Sequence, residues 1–433
     1  MKKLSMFQLT LLVTFGGLAI AGVLIFSLAI GGGESNTIGA VKIWGTLDQN
    51  AFAAVIRQVA ENNAQLSQVT YEQKDPATFE SELTNALASG GGPDLFLMRQ
   101  DYALKDAGKV AAIPSSALSK AQFENTFIQA ASPFLAQNGV IAVPLVADPL
   151  VLYWNKDMLA SSGYPQPPKY WDELFDMAQK ISKRDESGSI TRSAIAMGEY
   201  KNVTNAKDIL ATLILQAGGE ITAYDNTGRL SPALAPRAGV GSVQSTASAL
   251  RFYTEFADPS KNDYSWNRSL PESQKSFASG DLALYVGYAS ERLQVARMNP
   301  NLNFSIAPLP QIRTAQNALN TARVWGLAAS RAGANPNGAI TAAFLLASSD
   351  TAGAISSALG MPSARRDLLG KSAQGDEELF NKQTILAYSW LDPNPDETEA
   401  LFRVMIENTT SGAQLVAEAV QRADQEMARI LGL

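Results

Sequence analysis

The chain has 433 residues, of which 46% are hydrophobic and 18% charged, and this composition is typical of globular proteins with two or three domains. It contains no cysteine and no histidine, so its side chains cannot form a disulfide, a thiolate nucleophile, a Ser-His-Asp triad or a histidine-ligated zinc site. Acidic residues outnumber basic ones by 41 to 35 without long blocks of either sign, which argues against nucleic acid or an anionic membrane surface as the ligand. We therefore predict a protein without cofactor, metal or nucleic-acid partner.

The first 36 residues predict a membrane anchor followed by a tether. Lys2 and Lys3 precede an uncharged apolar run, and residues 11–30 would form a helix about 30 Å long, which matches the hydrocarbon thickness of a bilayer. We expect this helix to be retained, with the remaining chain outside the cytoplasm at the cell membrane and joined to it by the glycines at 31–33. Small residues at positions 27 and 29 leave a cleaved signal peptide, and hence a secreted protein, as the alternative.

The next part of the chain alternates strand and helix patterns. Residues 38–44, 69–73 and 94–98 are apolar runs that predict strands, and apolar positions at helical spacing within 52–59 and 79–87 predict the helices between them. This alternation is typical of a parallel sheet covered on both faces. A ligand would then bind at the loops that follow the first and third strands.

A proline-flanked stretch in the middle of the chain predicts a hinge. The apolar runs Val140–Val143 and Leu150–Trp154 predict two strands, and Pro144 and Pro149 remove backbone donors between them. Asn155 is placed to cap a short helix after the second run. We interpret this stretch as the crossing from one lobe to another.

The later part of the chain predicts two further crossings. The strand pattern at 304–307 is followed by two prolines and predicts a return to the first lobe, and Asn335-Pro336 predicts the way back to the second. The predicted lobes are residues 37–145 plus 308–331, and residues 149–304 plus 335–433 with the C-terminal helices.

Short motifs resemble those of the extracellular solute-binding proteins of ABC importers, in particular the maltose-binding-protein-like group. Each motif alone is little more than glycine and proline punctuation, but together they follow the order of that family over nearly all of the chain after residue 40. The motifs are Gly92–Phe96, Val143-Pro144, Leu152–Asp157, Pro167–Glu173, Phe277–Ala283, Ala307–Pro310 and Met361–Ser363.

The resemblance implies the fold and the function. It implies an α/β, two-lobed periplasmic-binding-protein-like (type II) fold with three interlobe crossings, here preceded by the N-terminal transmembrane helix. It also implies a monomeric, non-enzymatic receptor that captures an oligosaccharide or related polyol and delivers it to the transmembrane subunits of an ABC permease. Three alternatives remain open: a sensory receptor of the same fold, a binder of a metal, anion or peptide, and a glycosidase that uses two carboxylates such as Asp101 and Asp148.

Two aspartates are the first candidates for ligand contacts. Sugar recognition needs flat apolar faces, which aromatic residues supply, and planar polar groups such as carboxylates and guanidinium groups. The resemblance implies that Asp101 binds a hydroxyl group, with Tyr102 beside it to stack, and that Asp148 is an acidic ligand contact. A helix N-cap is the alternative for Asp101, and a turn aspartate before proline is the alternative for Asp148.

The remaining candidates lie at other predicted strand or loop ends, where the chain can present them to a ligand. For the aromatic ones a core position is the alternative, and Ala289 stands where the family often has a tryptophan. These candidates are Trp44, Thr46, Asp48, Tyr200, Tyr288, Arg323, Trp325, Arg365 and Trp390.

Overall fold

The computed structural model describes residues 37–235 and 245–433. The predicted membrane anchor and tether, residues 1–36, lie outside this part. Within the described ranges no single helix is long and apolar enough to span a bilayer, and only one bent helix pair, Pro336–Leu346 with Ser349–Leu359, passes that test by combined length and composition.

Strands and helices alternate along most of the described chain. The strands are β1 (Val41–Gly45), β2 (Val69–Gln73), β3 (Leu95–Arg99), β4 (Leu135–Ala136), β5 (Gly139–Val140), β6 (Val143–Asn155), β7 (Lys183–Arg184), β8 (Ile190–Ile195), β9 (Thr222–Tyr224), β10 (Leu230–Pro232), β11 (Leu282–Tyr288), β12 (Phe304–Ala307), β13 (Asn320–Ala329) and β14 (Ala387–Tyr388). The helices are α1 (Gln49–Asn62), α2 (Phe79–Ala88), α3 (Lys120–Thr126), α4 (Lys156–Ser161), α5 (Glu173–Ile181), α6 (Ala206–Gln216), α7 (Ser245–Glu255), α8 (Ser273–Ser279), α9 (Arg292–Met298), α10 (Pro336–Leu346), α11 (Ser349–Leu359), α12 (Arg366–Leu369), α13 (Asp376–Ile385), α14 (Pro395–Thr410) and α15 (Val416–Ile430).

Two separate hydrophobic cores define two lobes. The first core is built on β1, β2 and β3, which are parallel as the strand and helix alternation predicts, and on β13, which runs antiparallel to β3. The second core is built on the later half of β6 with β8, β11 and β12 and on the helices around them. One sheet, in the order β2-β1-β3-β13-β6-β11-β8-β7, passes through both lobes. The two-lobed mixed α/β fold is therefore confirmed.

The central crossing is one strand, so the prediction of two strands separated by prolines is wrong. β6 runs for 13 residues; its first half pairs with β13 and its second half with β11 and β12. A shift in register beside Gly326 accommodates Pro144, so the ladder continues past the missing donor. The residues between the two prolines also bond to the segment 362–364, where Ala147 N donates to Pro362 O at 2.8 Å.

The third crossing lies later in the chain than the sequence predicts. Asn335 does not send the chain back, because its amide caps α10 and also donates to Ile38 O and Ala40 O beside β1. Helices α10, α11 and α12 consequently pack into the first core, although the sequence analysis assigns them to the second lobe. The chain reaches the second core through α13 and again through α14, since Phe380 and Leu401 belong to that core. The cores are thus connected near Asp148, between Leu309 and Ala322, and between Leu369 and Leu401.

Candidate functional site

Four side chains lie on one face of the sheet where β3, β13 and β6 are neighbours. Trp325 is paired with Arg99, the last residue of β3, and Arg323 is paired with Asp148 of β6. Residues that pair across strands, and residues two apart along one strand, lie on the same face of a sheet. The first lobe therefore contributes two guanidinium groups, an indole and a carboxylate in one row.

Arg99 and Asp101 form an ion pair at the end of β3. Arg99 Nε donates to Asp101 Oδ1 at 3.0 Å, and the terminal Nη2 donates to the other carboxylate oxygen. Burial opposes the charge of Asp101, but the guanidinium outweighs it and holds the pKa of this carboxyl below its usual value. A planar, charged donor and acceptor pair results, and it stays ionised at neutral pH.

Arg323 reaches from the first lobe to residues of the second. Its Nη2 atom lies 2.8 Å from Asp208 Oδ2, in the first turn of α6, and its guanidinium carbon lies 4.0 Å from the centre of the Tyr288 ring at the end of β11. The side chains of Arg323 and Asp208 keep 29% and 30% of their surface accessible, and those of Arg99 and Asp101 keep 32% and 17%. These groups therefore remain partly accessible to solvent where the two lobes meet, and we refer to this region between the lobes as the cleft.

Asp148 holds the two lobes together at the crossing. It is 2% exposed, and its oxygens accept hydrogen bonds from Ser290 N at 3.0 Å and Ser290 Oγ at 2.6 Å. Burial raises its pKa to about 6, and the bonds from Ser290 oppose this shift. Both oxygens of Asp148 are therefore already engaged, by a residue 142 positions along the chain rather than by a local turn.

We expect Asp148 to make folding stability depend on pH. Its folded pKa of about 6 lies above the ordinary 3.8, so the folded protein binds a proton more readily than the unfolded chain. Wild type should therefore gain up to about 3 kcal/mol relative to Asp148→Asn as the pH falls from 7 to below 4. Urea unfolding of both proteins across this range measures the difference, and a constant difference would contradict the assignment.

A second set of contacts joins the lobes beside this cleft. Tyr102 OH donates to Asp396 Oδ1 at 3.3 Å, and Lys105 forms an ion pair with the same carboxylate in the first turn of α14. Within the second lobe, Tyr200 OH donates to Glu399, one turn further along α14. Tyr102 and Tyr200 are thus both held by hydrogen bonds to α14.

Trp390 lies in the second lobe above a buried ion pair. Its ring centre is 6.3 Å from that of Phe402, and Lys207 Nζ lies 5.7 Å from the ring. Lys207 in turn donates to Asp392 Oδ2 at 2.9 Å and to Thr398 Oγ1 at 2.7 Å. Lys207 directly precedes Asp208, so α6 connects this ion pair to the Arg323 contact.

Two of the sequence candidates form hydrogen bonds through their polar groups to nearby residues of the first lobe. Asp48 accepts a hydrogen bond from Ala51 N at 2.8 Å and caps α1. Arg365 donates to Asp367 at 2.9 Å and to Ala347 O at 2.9 Å, within the helices of the first lobe. Their role as ligand contacts remains a prediction that these bonds do not favour.

The two candidates at the end of β1, Trp44 and Thr46, differ in burial. Trp44 is 8% exposed and belongs to the first core, with Lys74 Nζ 3.9 Å from its ring centre. Thr46 is half-buried just after the strand. The structure thus brings Asp101, Asp148, Arg323 and Trp325 together at neighbouring strands, with Tyr288 stacked on Arg323. Tyr102, Tyr200 and Trp390 lie at the contacts to α6 and α14.

Several cleft residues are absent from the sequence candidates. Arg99 could have been chosen from the sequence, since it directly follows the predicted strand 94–98 and lies two residues before Asp101. Asp208, by contrast, looks in the sequence like any acidic residue on a solvated helix face. The hydrogen bonds of Ser290 and Glu399 likewise depend on packing alone. Among residues 37–235 and 245–433, no group of three His, Cys, Asp or Glu side chains is placed to hold a metal ion.

Two α/β lobes, joined by three connecting segments, bring charged and aromatic side chains together between them, and this arrangement is typical of a two-lobed ligand-binding protein. The chain belongs to the bacterial extracellular solute-binding protein family, whose sequence model matches residues 51–351. Members of this family bind solutes and are not enzymes, so the glycosidase alternative is not supported.

Curated relatives match part of the chain. A binding protein of Brucella abortus (strain 2308) is 22% identical over 240 residues, which is 53% of this chain and 52% of that protein. A maltotriose-binding protein of Pyrococcus abyssi is 27% identical over 146 residues, or 33% of this chain and 30% of that protein. The chain thus aligns with about half, or less, of the length of these relatives.

Solved structures match nearly the whole chain at low sequence identity. The cyclic α-maltosyl-1,6-maltose binding protein of Arthrobacter globiformis superimposes with a TM-score of 0.74 at 17% identity, covering 90% of this chain and 98% of that one. A sugar-binding protein of Xanthomonas citri superimposes with a TM-score of 0.71 at 19% identity, covering 91% and 97%. These matches support the fold.

Proposed function

We propose that this protein is the extracytoplasmic binding component of an ABC importer and captures an oligosaccharide or related polyol between two closing lobes. The observation that carries the proposal is the meeting of polar side chains from both lobes in one cleft. Arg99, Asp101 and Arg323 come from the first lobe, and Asp208 and Tyr288 from the second. A solute that contacts both sets would favour the closed arrangement, since its binding energy depends on both lobes at once.

The chemistry of the cleft suits a saccharide. Each guanidinium and carboxylate pair offers donors and acceptors in one plane, and such charged groups form stronger hydrogen bonds with hydroxyl groups than neutral groups do. Tyr288 and Trp325 are 3% and 9% exposed in this arrangement, and their flat apolar rings would face the C–H surfaces of a sugar ring when the lobes open. Solved structures of the same fold include a cyclo/maltodextrin-binding protein with maltotetraose and a binding protein with mannotriose.

Delivery to a permease follows from the same proposal. The loaded, closed form would be presented to the transmembrane subunits of the importer, outside the cytoplasm, while residues 1–36 hold the protein at the membrane. A monomer is sufficient for this role, because both halves of the cleft come from one chain.

Thermal unfolding of the full chain with a panel of solutes tests the proposal. A ligand that binds only the folded state at 100 times its Kd adds about 2.7 kcal/mol of stability. We expect maltotetraose or mannotriose to raise the melting temperature by several degrees, and amino acids, peptides and metal ions to leave it unchanged. Stabilisation by a peptide or a metal ion alone would contradict the sugar assignment.

A further inference from the structure

Two neighbouring N–H groups on β13 have no hydrogen-bond partner in the described part of the chain. They are Trp325 Nε1 and Arg323 Nε, and both atoms are inaccessible to solvent. Trp325 as a whole is only 9% exposed. A buried donor without a partner costs about 1–3 kcal/mol, so such groups are rare in native proteins and require an explanation.

Two other buried tryptophans of this chain donate their indole N–H to a side chain, whereas Trp44 Nε1, like Trp325 Nε1, has no partner among the described residues. Trp171 Nε1 donates to Gln216 Oε1 at 2.6 Å, and Trp266 Nε1 donates to Asn202 Oδ1 at 3.1 Å. A phenylalanine at position 325 would fill an apolar site without burying an unpaired donor. The indole of Trp325 differs from that of Trp44 because it lies beside a second unpaired donor, Arg323 Nε, where the lobes meet, and a partner outside the chain would satisfy both.

The location of the two donors indicates where that partner binds. Trp325 and Arg323 are two residues apart on one strand and share the sheet face with Arg99. Arg323 extends from this face to Asp208 and Tyr288 of the second lobe. The unpaired donors therefore lie at the base of the proposed binding cleft.

The neighbouring charges limit the chemistry of the partner. Asp101 neutralises Arg99, and Asp208 neutralises Arg323, so the two donors lie beside paired charges and not beside a free cation. A carboxylate on the ligand would come close to the carboxylates of Asp101 and Asp208. An uncharged oxygen acceptor avoids this repulsion.

We infer that Trp325 and Arg323 are specificity-determining residues whose Nε1–H and Nε–H groups donate hydrogen bonds to an uncharged oxygen of the bound saccharide. This inference rests on the proposed function and adds the ligand class, a neutral sugar with a hydroxyl or ring oxygen at this position. Trp325 then contributes a hydrogen bond in addition to its flat ring. Opening of the lobes exposes the two donors, and the ligand satisfies them on closure.

Exchange of Trp325 for phenylalanine tests this inference, with Trp171→Phe as the matched control. Both changes remove the same volume from a buried site, but only Trp171→Phe breaks a hydrogen bond within the protein. Without ligand, Trp325→Phe should lower the melting temperature less than Trp171→Phe, by about 2–6 °C. With ligand, Trp325→Phe should weaken binding about 5- to 100-fold, whereas Trp171→Phe should bind as wild type does.

Calorimetry of the full-length proteins with maltotetraose, mannotriose and trigalacturonate supplies the affinities. We expect a neutral saccharide to bind wild type more tightly than trigalacturonate. Unchanged affinity in Trp325→Phe would overturn the donor role, and tightest binding of trigalacturonate would overturn the uncharged ligand class. A wild-type protein that binds none of the three would overturn the proposed function, and this inference with it.

Discussion

Exchange of Lys207 for methionine should lower the free energy of unfolding by about 3–5 kcal/mol. The ion pair that it breaks is buried, since the side chain of Lys207 is 8% exposed and that of Asp392 is 1% exposed. Methionine fills a similar volume but leaves the Asp392 carboxylate in the protein interior without its cation. Thr398 still donates to this carboxylate at 2.8 Å, which limits the loss but does not balance the charge.

The pH dependence of this loss identifies its cause. Burial already raises the pKa of Asp392, while Lys207 opposes the shift, so the variant should raise this pKa further. The loss in free energy of unfolding caused by Lys207→Met should therefore become smaller as the pH falls, because the unpaired carboxyl of Asp392 then takes up a proton. Arg429→Met is the control: its ion pair with Glu397 is exposed, and its loss should leave stability almost unchanged at every pH. Equal losses in both variants would refute the buried-pair interpretation.

The second large effect should appear in ligand affinity. Arg323→Met removes the group that bonds to Asp208 and stacks on Tyr288. It removes a contact that joins the lobes in the closed arrangement and, in our proposal, a charged donor to the ligand, and a hydrogen bond to a charged group contributes about 1.5–3 kcal/mol. We therefore expect saccharide affinity to fall by about 10-fold or more in calorimetry.

Arg313→Met provides the comparison for that measurement. Arg313 also forms an ion pair, with Asp172 at 2.8 Å, but its side chain is 51% exposed and lies outside the cleft. Affinity should be unchanged in this variant. If Arg323→Met instead binds saccharide as tightly as wild type, the Arg323 and Asp208 pair belongs to the scaffold and not to the binding site.

Local sequence patterns were sufficient to predict much of the fold. The three parallel strands β1, β2 and β3 and the helices between them follow from hydrophobic periodicity. Asn155 caps α4 as predicted, with Asp157 N at 3.1 Å from its side-chain oxygen, because capping depends only on adjacent residues. The ordered motifs indicated the family because glycine and proline constrain backbone geometry strongly, so their spacing is informative.

The predictions of strand and lobe boundaries were wrong where contacts between residues distant in the sequence determine the structure. Pro144 and Pro149 normally interrupt a strand, but a register shift and the segment 362–364 keep β6 continuous. Asn335-Pro336 has the pattern of a turn, but Asn335 bonds to Ile38 and Ala40, almost 300 positions earlier, and the following helices pack into the first core. Neither partner can be read from the local sequence.

Part of the candidate site was predictable from the sequence, although the role of its residues as ligand contacts stays a prediction. The family resemblance suggested Asp101 and Asp148, and predicted strands suggested Tyr288 and Trp325. The bonds of Asp148 to Ser290 could not be predicted, because they depend on packing between the lobes. Asp208 was missed because its importance comes only from the position of Arg323.

The central claim is that two lobes close on a solute, and a distance measurement between the lobes tests it most directly. The natural chain contains no cysteine, so Glu61→Cys on α1 and Glu186→Cys in the second lobe allow specific labelling with a fluorophore pair. Both positions are exposed. On titration with the saccharide that stabilises the protein, energy transfer should change saturably, with the same Kd as calorimetry gives. Binding detected by calorimetry with no change in energy transfer would contradict the account.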